Sequence, residues 1–383
     1  MTKIYLIRHA EAEGNLYRRI HGQYDSLVTG RGLRQIEELQ KRFEDVKIAA
    51  VYSSDLLRTC KTAEAIYLPH KLTLHTDKGL REVAMGVWED KTWGEVEYLT
   101  PQDLYTFNND PVNWKIEGNE GFFELQKRVT DAIVKIAEEN DGRTVAVVSH
   151  GSAIRTFLCG AMKVAPEDIP KVPHCDNTSV ALLVYDGGEF SVEFHGDNSH
   201  LSLENSTFAH QKWWKEQTTF DNTNTRYIPF APARDTETYI SFREDAYRLV
   251  HGEKATLPDD YLARALNGET YMAMGLIGDT PAGVCELDLE REKEDGAGWI
   301  EFLYMVSSYR RTGIGVQLIG QAVHVFRELG RDKLRLEIEE KNESALFFYT
   351  KYGFEVIAER MADGIKILKM EKDILRYKKD GSI

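Results

Sequence analysis

Short β-branched runs alternate with longer segments of helical period along nearly the whole chain, and a polar interruption divides that pattern in two. Strands that return to one sheet through crossover helices produce this alternation, so the fold class expected is α/β, built twice. In the first part Lys3 to Ile7 reads as a strand, and Leu33, Ile36, Leu39 and Phe43 recur at helical spacing. Ile48 to Tyr52 reads as a strand, Leu56 to Tyr67 as a helix, and Leu72 to Thr76 as extended chain. Phe122 to Glu139 is a long amphipathic helix, broken by Asp141-Gly142 before the apolar run Thr144 to Val148. Ser179 to Tyr185 and Phe190 to Phe194 flank the turn Asp186-Gly187-Gly188 and close the unit.

A second α/β pattern begins at Arg226. Strands are expected at Tyr227 to Phe230, Tyr271 to Leu276, Ala282 to Leu289, Ile300 to Val306 and Leu334 to Ile338, followed by two short final strands. Helices are expected at Thr236 to Val250, Asp259 to Leu266, Gly313 to Leu329 and Glu343 to Tyr352. Between the two patterns TTFDNTNT offers no apolar face to pack. The division expected is therefore a domain over residues 1–205, a linker over 206–225, a domain over 226–372 and a polar tail over 373–383. Trp213 and Trp214 suit either an interdomain anchor or a cap on the first core. A chain of 383 residues with 42% hydrophobic content exceeds what one core usually organises, which agrees with two domains.

Charge and cysteine content narrow the function. The formal net charge of −14 argues against a nucleic-acid partner, because that affinity rests on clustered Lys and Arg releasing counterions. A small phosphorylated metabolite stays possible if a cleft gathers arginines that overrule the global field. Cys60, Cys159, Cys175 and Cys285 form no CxxC pair and MTKIYLIRHA lacks the pattern of a secretion signal, so a cytoplasmic location is expected. No apolar run approaches the roughly 20 residues of a membrane helix, and no membrane partner is expected.

The first chemistry lies where the first strand ends, at Leu6-Ile7-Arg8-His9-Ala10-Glu11, because open α/β sheets hold ligands at the carboxyl ends of their strands. An Arg-His pair alone is a weak signal. The strand at Ile48 to Tyr52 runs into Ser53-Ser54-Asp55-Leu56-Leu57-Arg58, and the strand at Thr144 to Val148 runs into Ser149-His150-Gly151. Leu80-Arg81-Glu82-Val83-Ala84-Met85-Gly86-Val87-Trp88-Glu89 then adds a carboxylate after another extended run. Together these segments resemble those of the histidine phosphatase superfamily, the phosphoglycerate mutase-like family, over residues 1–205. The resemblance implies a three-layer α/β/α domain in which His9 is the nucleophile, Arg8, Arg58 and His150 hold the phosphoryl group, and Glu82 donates a proton. Asn15, within EAEGN, matches a further residue that touches the phosphate.

Those residue types suit the chemistry. Fixed guanidinium groups stabilise the charge that gathers on the transferring phosphoryl oxygens, and they disfavour protonation of the attacking imidazole. No metal or other cofactor is then required on this side. His21 is a candidate for the pocket rim only, while His174, His195, His200, Arg18, Arg19 and Arg81 are read as surface or structural. Phosphatase is preferred to mutase because the chain between Glu82 and His150 is short.

In the second part, Val306-Ser307-Ser308-Tyr309-Arg310-Arg311-Thr312-Gly313-Ile314-Gly315 stands between an apolar strand and an amphipathic helix. A glycine turn opening a helix presents unpaired N–H groups to a pyrophosphate. The stretch matches the R/Q-x-x-G-x-G/A pattern of the GNAT superfamily of N-acetyltransferases, and Asn342-Glu343-Ser344-Ala345-Leu346-Phe347-Phe348-Tyr349 is a second match downstream. The resemblance implies a mixed α/β domain that binds acetyl-CoA, with Val306, Arg311, Thr312, Gly313, Ile314, Gly315, Val316 and Asn342 as cofactor-binding residues. Its thioester would lie between two parting strands. Tyr349 stands where the family often has the acid serving the CoA sulfur, and Glu301 is a candidate base. Glu237, Glu244, Asp245, Glu253, Asp259 and Asp260 would suit a small cationic amine acceptor, or simply a solvated helix face.

The leading expectation is a bifunctional enzyme that hydrolyses phosphomonoesters through a phosphohistidine and acetylates a small amine. The alternatives are a phosphatase regulated by a non-catalytic acetyl-CoA-binding module, and a phosphoglycerate mutase-type enzyme with an interaction domain. The sequence leaves the substrates and the oligomeric state open.

Overall fold

The computed structural model describes residues 1–210, 223–258 and 260–375, apart from the side chains at 260 and 261. Trp213, Trp214, Asp259, most of the polar linker and the tail beyond residue 375 lie outside the described residues. The chain divides into two compact units, Met1–Lys91 with Leu99–Asp221, and Thr92–Tyr98 with Asn222–Ile383.

The first stretch of chain runs β1 (Thr2–Arg8), α1 (Glu13–Tyr17), α2 (Gly30–Phe43), β2 (Ala50–Ser53), α3 (Leu57–Tyr67), β3 (Leu74–Thr76), α4 (Trp93–Leu99), α5 (Pro101–Asn109) and α6 (Phe122–Glu139). It continues through β4 (Thr144–Ser149), α7 (Gly151–Ala161), β5 (Val180–Asp186), β6 (Glu189–Asp197) and α8 (Thr207–His210). The sheet has the order β3-β2-β4-β1-β5-β6, with β1 to β4 parallel and β5 and β6 antiparallel. Val145, Ala146, Val147 and Val148 of the central β4 are all buried, as a strand covered on both faces requires. Ile7, Ala146 and Val148 pack with Ile36, Leu39 and Phe43 of α2 and with Ala63 and Ile66 of α3. Burying each large aliphatic or aromatic side chain stabilises the core by about 1.5–3 kcal/mol.

Parallel register brings the functional strand ends together. Arg8 stands opposite Ser149, and Ser53 opposite Val148, so β1, β4 and β2 finish side by side. The residues that follow them, His9, His150 and the turn into α3, share one edge of the sheet.

The boundary expected at residue 205 does not match the described structure. Ser206 and Thr207 are buried, Ser206 Oγ donates to Asp176 Oδ2 at 2.6 Å, and the N–H of Phe208 donates to Asp176 Oδ1 at 3.2 Å. One buried carboxylate thus holds residues that carry no apolar period, which is why periodicity ended too early there. Helices α1, α4, α5 and α7 likewise add to the elements the sequence pattern assigned.

The second stretch runs β7 (Arg226–Pro229), α9 (Pro232–His251), α10 (Asp260–Leu266), β8 (Tyr271–Ile277), β9 (Thr280–Asp288), β10 (Ala297–Met305) and α11 (Val316–Glu328). β11 (Lys333–Glu339), α12 (Glu343–Lys351), β12 (Glu355–Ala362) and β13 (Ile365–Asp373) complete it. The sheet order is β12-β13-β11-β10-β9-β8-β7, and only β10 and β11 pair in parallel. Tyr239 and Phe242 of α9 pack on Met272, Met274, Val284 and Tyr304. On α11, Phe326 lies so close that a Cβ on Gly298 would come within 2.2 Å of its ring, so glycine is required there. The chain does not enter a polar tail at residue 373. Asp373 is the last residue of β13, and Ile374 is fully buried, its N–H donating to Asp332 O and its carbonyl accepting from Arg327 Nε at 2.8 Å each.

Candidate functional site

His9 leaves β1 with its own N–H donating to Ser149 O at 3.0 Å, and its carbonyl accepts from Asn177 Nδ2 at 2.9 Å. The ring is 2% exposed and its Nδ1 lies 2.7 Å from Ala10 O. A carbonyl oxygen can only accept, so Nδ1 carries the proton and Nε2 keeps a bare lone pair. Burial pushes the His9 pKa well below 6.5, and the positive charges of Arg58 and Arg8, with His21, push it the same way. The imidazole is neutral at pH values where a free histidine would be charged.

The two arginines are held by carbonyl groups. Arg58, fully buried in the first turn of α3, donates to His21 O at 3.0 Å, Gly22 O at 2.7 Å and Tyr24 O at 3.0 Å. Arg8 donates through Nη1 to Cys175 O. Burial lowers the Arg58 pKa to about 10, which leaves the group charged at neutral pH. Among the described residues Arg8 Nε, Arg58 Nε and both ring nitrogens of His150 are buried without a hydrogen-bond partner. Native structures rarely leave such groups unpaired, and an oxyanion supplies the acceptors they lack. His150 lies against His9 with ring centroids 5.2 Å apart.

Glu82 and His150 are joined through α7. His150 is the N-cap residue of that helix, and Glu82 accepts from its first N–H groups, through Oε2 from Ser152 at 2.9 Å and through Oε1 from Ala153 at 2.9 Å. Arg128 holds the main chain leading to it, donating to Gly79 O, Arg81 O and Glu82 O. Asn15 Oδ1 accepts from the N–H of Ala12 at 3.0 Å and caps α1, and only its Nδ2 could donate to a phosphate.

His21 belongs to the pocket itself. Its ring stands at 87° to that of His9 with centroids 5.7 Å apart, and its Nδ1 meets Ser26 Oγ at 2.9 Å. A Cβ on Gly14 would lie 2.3 Å from the His21 ring, so the glycine of EAEGN makes the space the imidazole occupies. Arg19 and Arg81 are engaged elsewhere, by Asp90 at 2.8 Å and Asp55 at 2.5 Å. His200 meets Thr178 and Arg42, and burial beside Arg155 and Arg8 pushes His174 down to about 3.

In the second unit β10 and β11 pair only as far as Trp299 opposite Arg335, although β10 runs on to Met305 and β11 to Glu339. The strands part beyond that point. Helix α11 starts at Val316, three residues later than expected, because Arg311 and Gly313 take φ values of 63° and 91° and hold the loop outside helical geometry. No side chain caps α11 at Gly315, and although the N–H groups of Gln317 and Leu318 donate to Ile314 O and Gly315 O, the positive end of the helix dipole lies at this turn. That edge fits a pyrophosphate. Of the other residues expected here, Val306 uses its N–H on Ala282 O at 2.8 Å, Thr312 Oγ1 donates to Tyr309 O at 2.7 Å, and Ile314 is buried. Asn342 Oδ1 accepts from the N–H of Ala345 at 3.1 Å and caps α12.

Tyr349 is buried beside Phe348 and Phe354, and burial raises the pKa of its hydroxyl. Glu301 sits at a bulge in β10, between Ile300 and Phe302. Its Oε2 is buried without a hydrogen bond among the described residues, the nearest cation being Arg264 Nη1 at 3.6 Å. Burial and the neighbouring Glu286 raise its pKa. Asp245, one of the acids read either as suiting an amine or as a solvated helix face, accepts from Tyr304 Oη and Arg310 Nη2.

Comparison with known proteins agrees with this geometry. The histidine phosphatase superfamily (branch 1) matches residues 4–198, and the acetyltransferase (GNAT) family matches residues 236–354. Phosphoglycerate mutase-like protein 4 of Arabidopsis thaliana is 32% identical over 204 residues, covering 52% of this chain and 87% of that protein. The probable phosphoglycerate mutase GpmB of Proteus mirabilis is 31% identical over 210 residues, covering 53% of this chain and 96% of that one. Among solved structures, YhfR of Bacillus stearothermophilus matches with a TM-score of 0.51 and 33% identity, over 52% of this chain and 99% of its own. With its neutral, arginine-flanked histidine at the end of β1 and its uncapped glycine turn before α11, this chain belongs to the histidine phosphatase superfamily and carries a GNAT-family acetyltransferase domain behind it.

Proposed function

We propose that the N-terminal unit hydrolyses a small phosphomonoester through a phosphohistidine, and that the C-terminal unit transfers acetyl from acetyl-CoA to a small amine. One observation carries the first half: His9 presents an unprotonated Nε2 in a pocket whose remaining buried donors lack acceptors. Nε2 attacks phosphorus, the ester P–O bond breaks, and the phosphoryl charge is taken up by Arg8, Arg58, His21 and His150. Glu82 gives its proton to the departing alkoxide. The carboxylate then takes a proton from water as that water's oxygen displaces His9 from phosphorus, which releases phosphate and restores both residues.

Glu82→Gln should therefore slow alkyl phosphates by about 10²-fold or more, while p-nitrophenyl phosphate, whose phenolate leaves unaided, loses much less in phosphorylation. Initial rates across leaving groups of graded pKa measure this. Equal losses on all esters would remove Glu82 from the acid role.

For the C-terminal unit, Gly313, Ile314, Gly315 and Val316 would hold the pyrophosphate on their N–H groups, with Arg311 and Thr312 shaping the turn. Acetyl-CoA supplies the activated thioester. Glu301 Oε2, raised in pKa and short of a partner, would take the proton from the acceptor amine. The Tyr349 hydroxyl stays protonated in its buried position and would give its proton to the CoA thiolate as the thioester C–S bond breaks. Tyr349→Phe should lower acetyl turnover by about 10²-fold with acetyl-CoA affinity nearly unchanged, because only the hydroxyl is lost. Thiol release and calorimetric binding test the two separately, and a loss of affinity with turnover intact would make Tyr349 a packing residue.

A mutase reading is favoured by the names of the relatives, and it is tested by following interconversion of phosphoglycerates against release of inorganic phosphate. We hold to the phosphatase because the chain between Glu82 and His150 is short.

A further inference from the structure

We infer that Glu89 is a positioning residue for the phosphoryl pocket, acting on Arg58 through the peptide unit between Gly22 and Gln23. The inference rests on the proposed phosphatase reading. Among the described residues Arg58 has no carboxylate as a hydrogen-bond partner, and it depends on the carbonyls of His21, Gly22 and Tyr24. Those carbonyls lie between α1 and α2, outside any helix or strand, so something else must fix them.

Glu89 does so. Its Oε1 accepts from the N–H of Gln23 at 2.8 Å and of Met85 at 3.0 Å, and its Oε2 accepts from the N–H of Tyr24 at 3.0 Å. The N–H of Gln23 and the C=O of Gly22 belong to one peptide. That peptide donates to Glu89 at one end and accepts from Arg58 Nη2 at 2.7 Å at the other. A carboxylate and a guanidinium therefore polarise the same amide from opposite sides, and each bond strengthens the other in a buried setting. The fields of Asp25, Glu82 and Glu89, in that order, favour the charged form of Arg58 against its burial.

The backbone is shaped for this approach. A Cβ on Gly22 would lie 2.4 Å from Glu89 Oε1 and 2.4 Å from Val83 O, so only glycine lets the peptide come so near. Glu89 itself follows a short helical turn, Gly86–Trp88, whose Trp88 is buried. The same loop carries His21, so the carboxylate sets the place of one cation and one imzidazole at once.

The test uses the full chain and inorganic phosphate as the probe, with p-nitrophenyl phosphate as substrate. Glu89→Gln should weaken phosphate binding and raise KM by about 10-fold, and Glu89→Ala by about 10²-fold, since small displacements of a charge clamp carry losses of that size. The dependence on leaving-group pKa should stay as in the wild type, unlike that of Glu82→Gln. Because Glu89 acts through Arg58, adding Glu89→Gln to Arg58→Lys should cost little beyond Arg58→Lys alone. Wild-type phosphate affinity in a folded Glu89→Gln, or losses that add in full in the double variant, would overturn the proposal. If Glu89→Ala does not fold, Glu89→Gln decides. A wild-type chain that neither binds phosphate nor cleaves the ester would overturn the reading of the pocket itself, before any variant is compared.

Discussion

His9→Ala should release phosphate from any phosphomonoester at a rate roughly 10⁴-fold or more below wild type, while acetyl transfer by the same preparation continues unchanged. The size follows from the absence of a substitute. His9 Nε2 is kept bare by the Nδ1 contact to Ala10 O, and it is kept unprotonated by burial and by the charges of Arg58 and Arg8. His21 and His150 share the pocket and are also held neutral, but neither follows β1 and neither is tied by its main chain to both β4 and Asn177 as His9 is. They can donate to a phosphoryl oxygen without being placed for in-line attack. Phosphate binding should survive in His9→Ala because Arg8, Arg58, His21 and His150 remain. Phosphate release, incorporation of label from a labelled ester and calorimetric phosphate binding separate these effects, and near-wild-type release would reject His9 as nucleophile.

Much of this site was legible in the sequence because its anchors follow apolar strands. β1 and β4 announce themselves by buried runs, and Arg8, His9 and His150 come at or immediately after their ends, while the strand order that sets β1 beside β4 is visible only in the structure. Arg58 was legible for the same reason, one turn beyond β2. His21 was legible only as a candidate for the rim and Glu89 not at all, because both act through a loop without period and the partners of Glu89 in that loop stand far away in sequence. Glu89 reaches Gln23 across 66 residues and His21 faces His9 through a ring contact that spacing does not encode. Only Gly14 and Gly22 hinted at it, each marking a place where a side chain or peptide comes too close for a Cβ. In the second unit the glycine turn was legible from pattern, while the parting strands were only implied by the resemblance. The start of α11 was misplaced because positive φ at Arg311, an unusual residue for it, extends the loop.

Mild acid should destabilise the N-terminal unit strongly. His9, His21 and His150 all have pKa values well below 6.5, first because they are buried and then because Arg58 stands among them. His174 is pushed down to about 3 by burial and by Arg155. In the unfolded chain each would titrate near 6.5, so below about pH 6.5 the unfolded state binds protons that the folded state refuses. The stability these residues permit is therefore complete above that pH and falls as pH drops through the unfolded value. The slope for each is about 1.4 kcal/mol per pH unit. For the three pocket histidines, descent from about pH 7 to about pH 5 then costs on the order of 5 kcal/mol, comparable with the whole stability of many domains. Asp25 works the other way, since desolvation raises its pKa, but it is one group set against several buried histidines. Inorganic phosphate should offset the loss, because an oxyanion in the pocket favours the imidazolium forms that the empty arginine cluster penalises. Thermal unfolding from about pH 7.5 to about pH 5, with and without phosphate, measures this, and the transition that phosphate moves is the one to follow. His21→Gln should flatten the dependence by about one proton while leaving the remaining histidines in place. A midpoint that stays level across that range would mean that the imidazoles already take up protons in the folded state, and the neutral nucleophile on which the proposed chemistry depends would have to be given up.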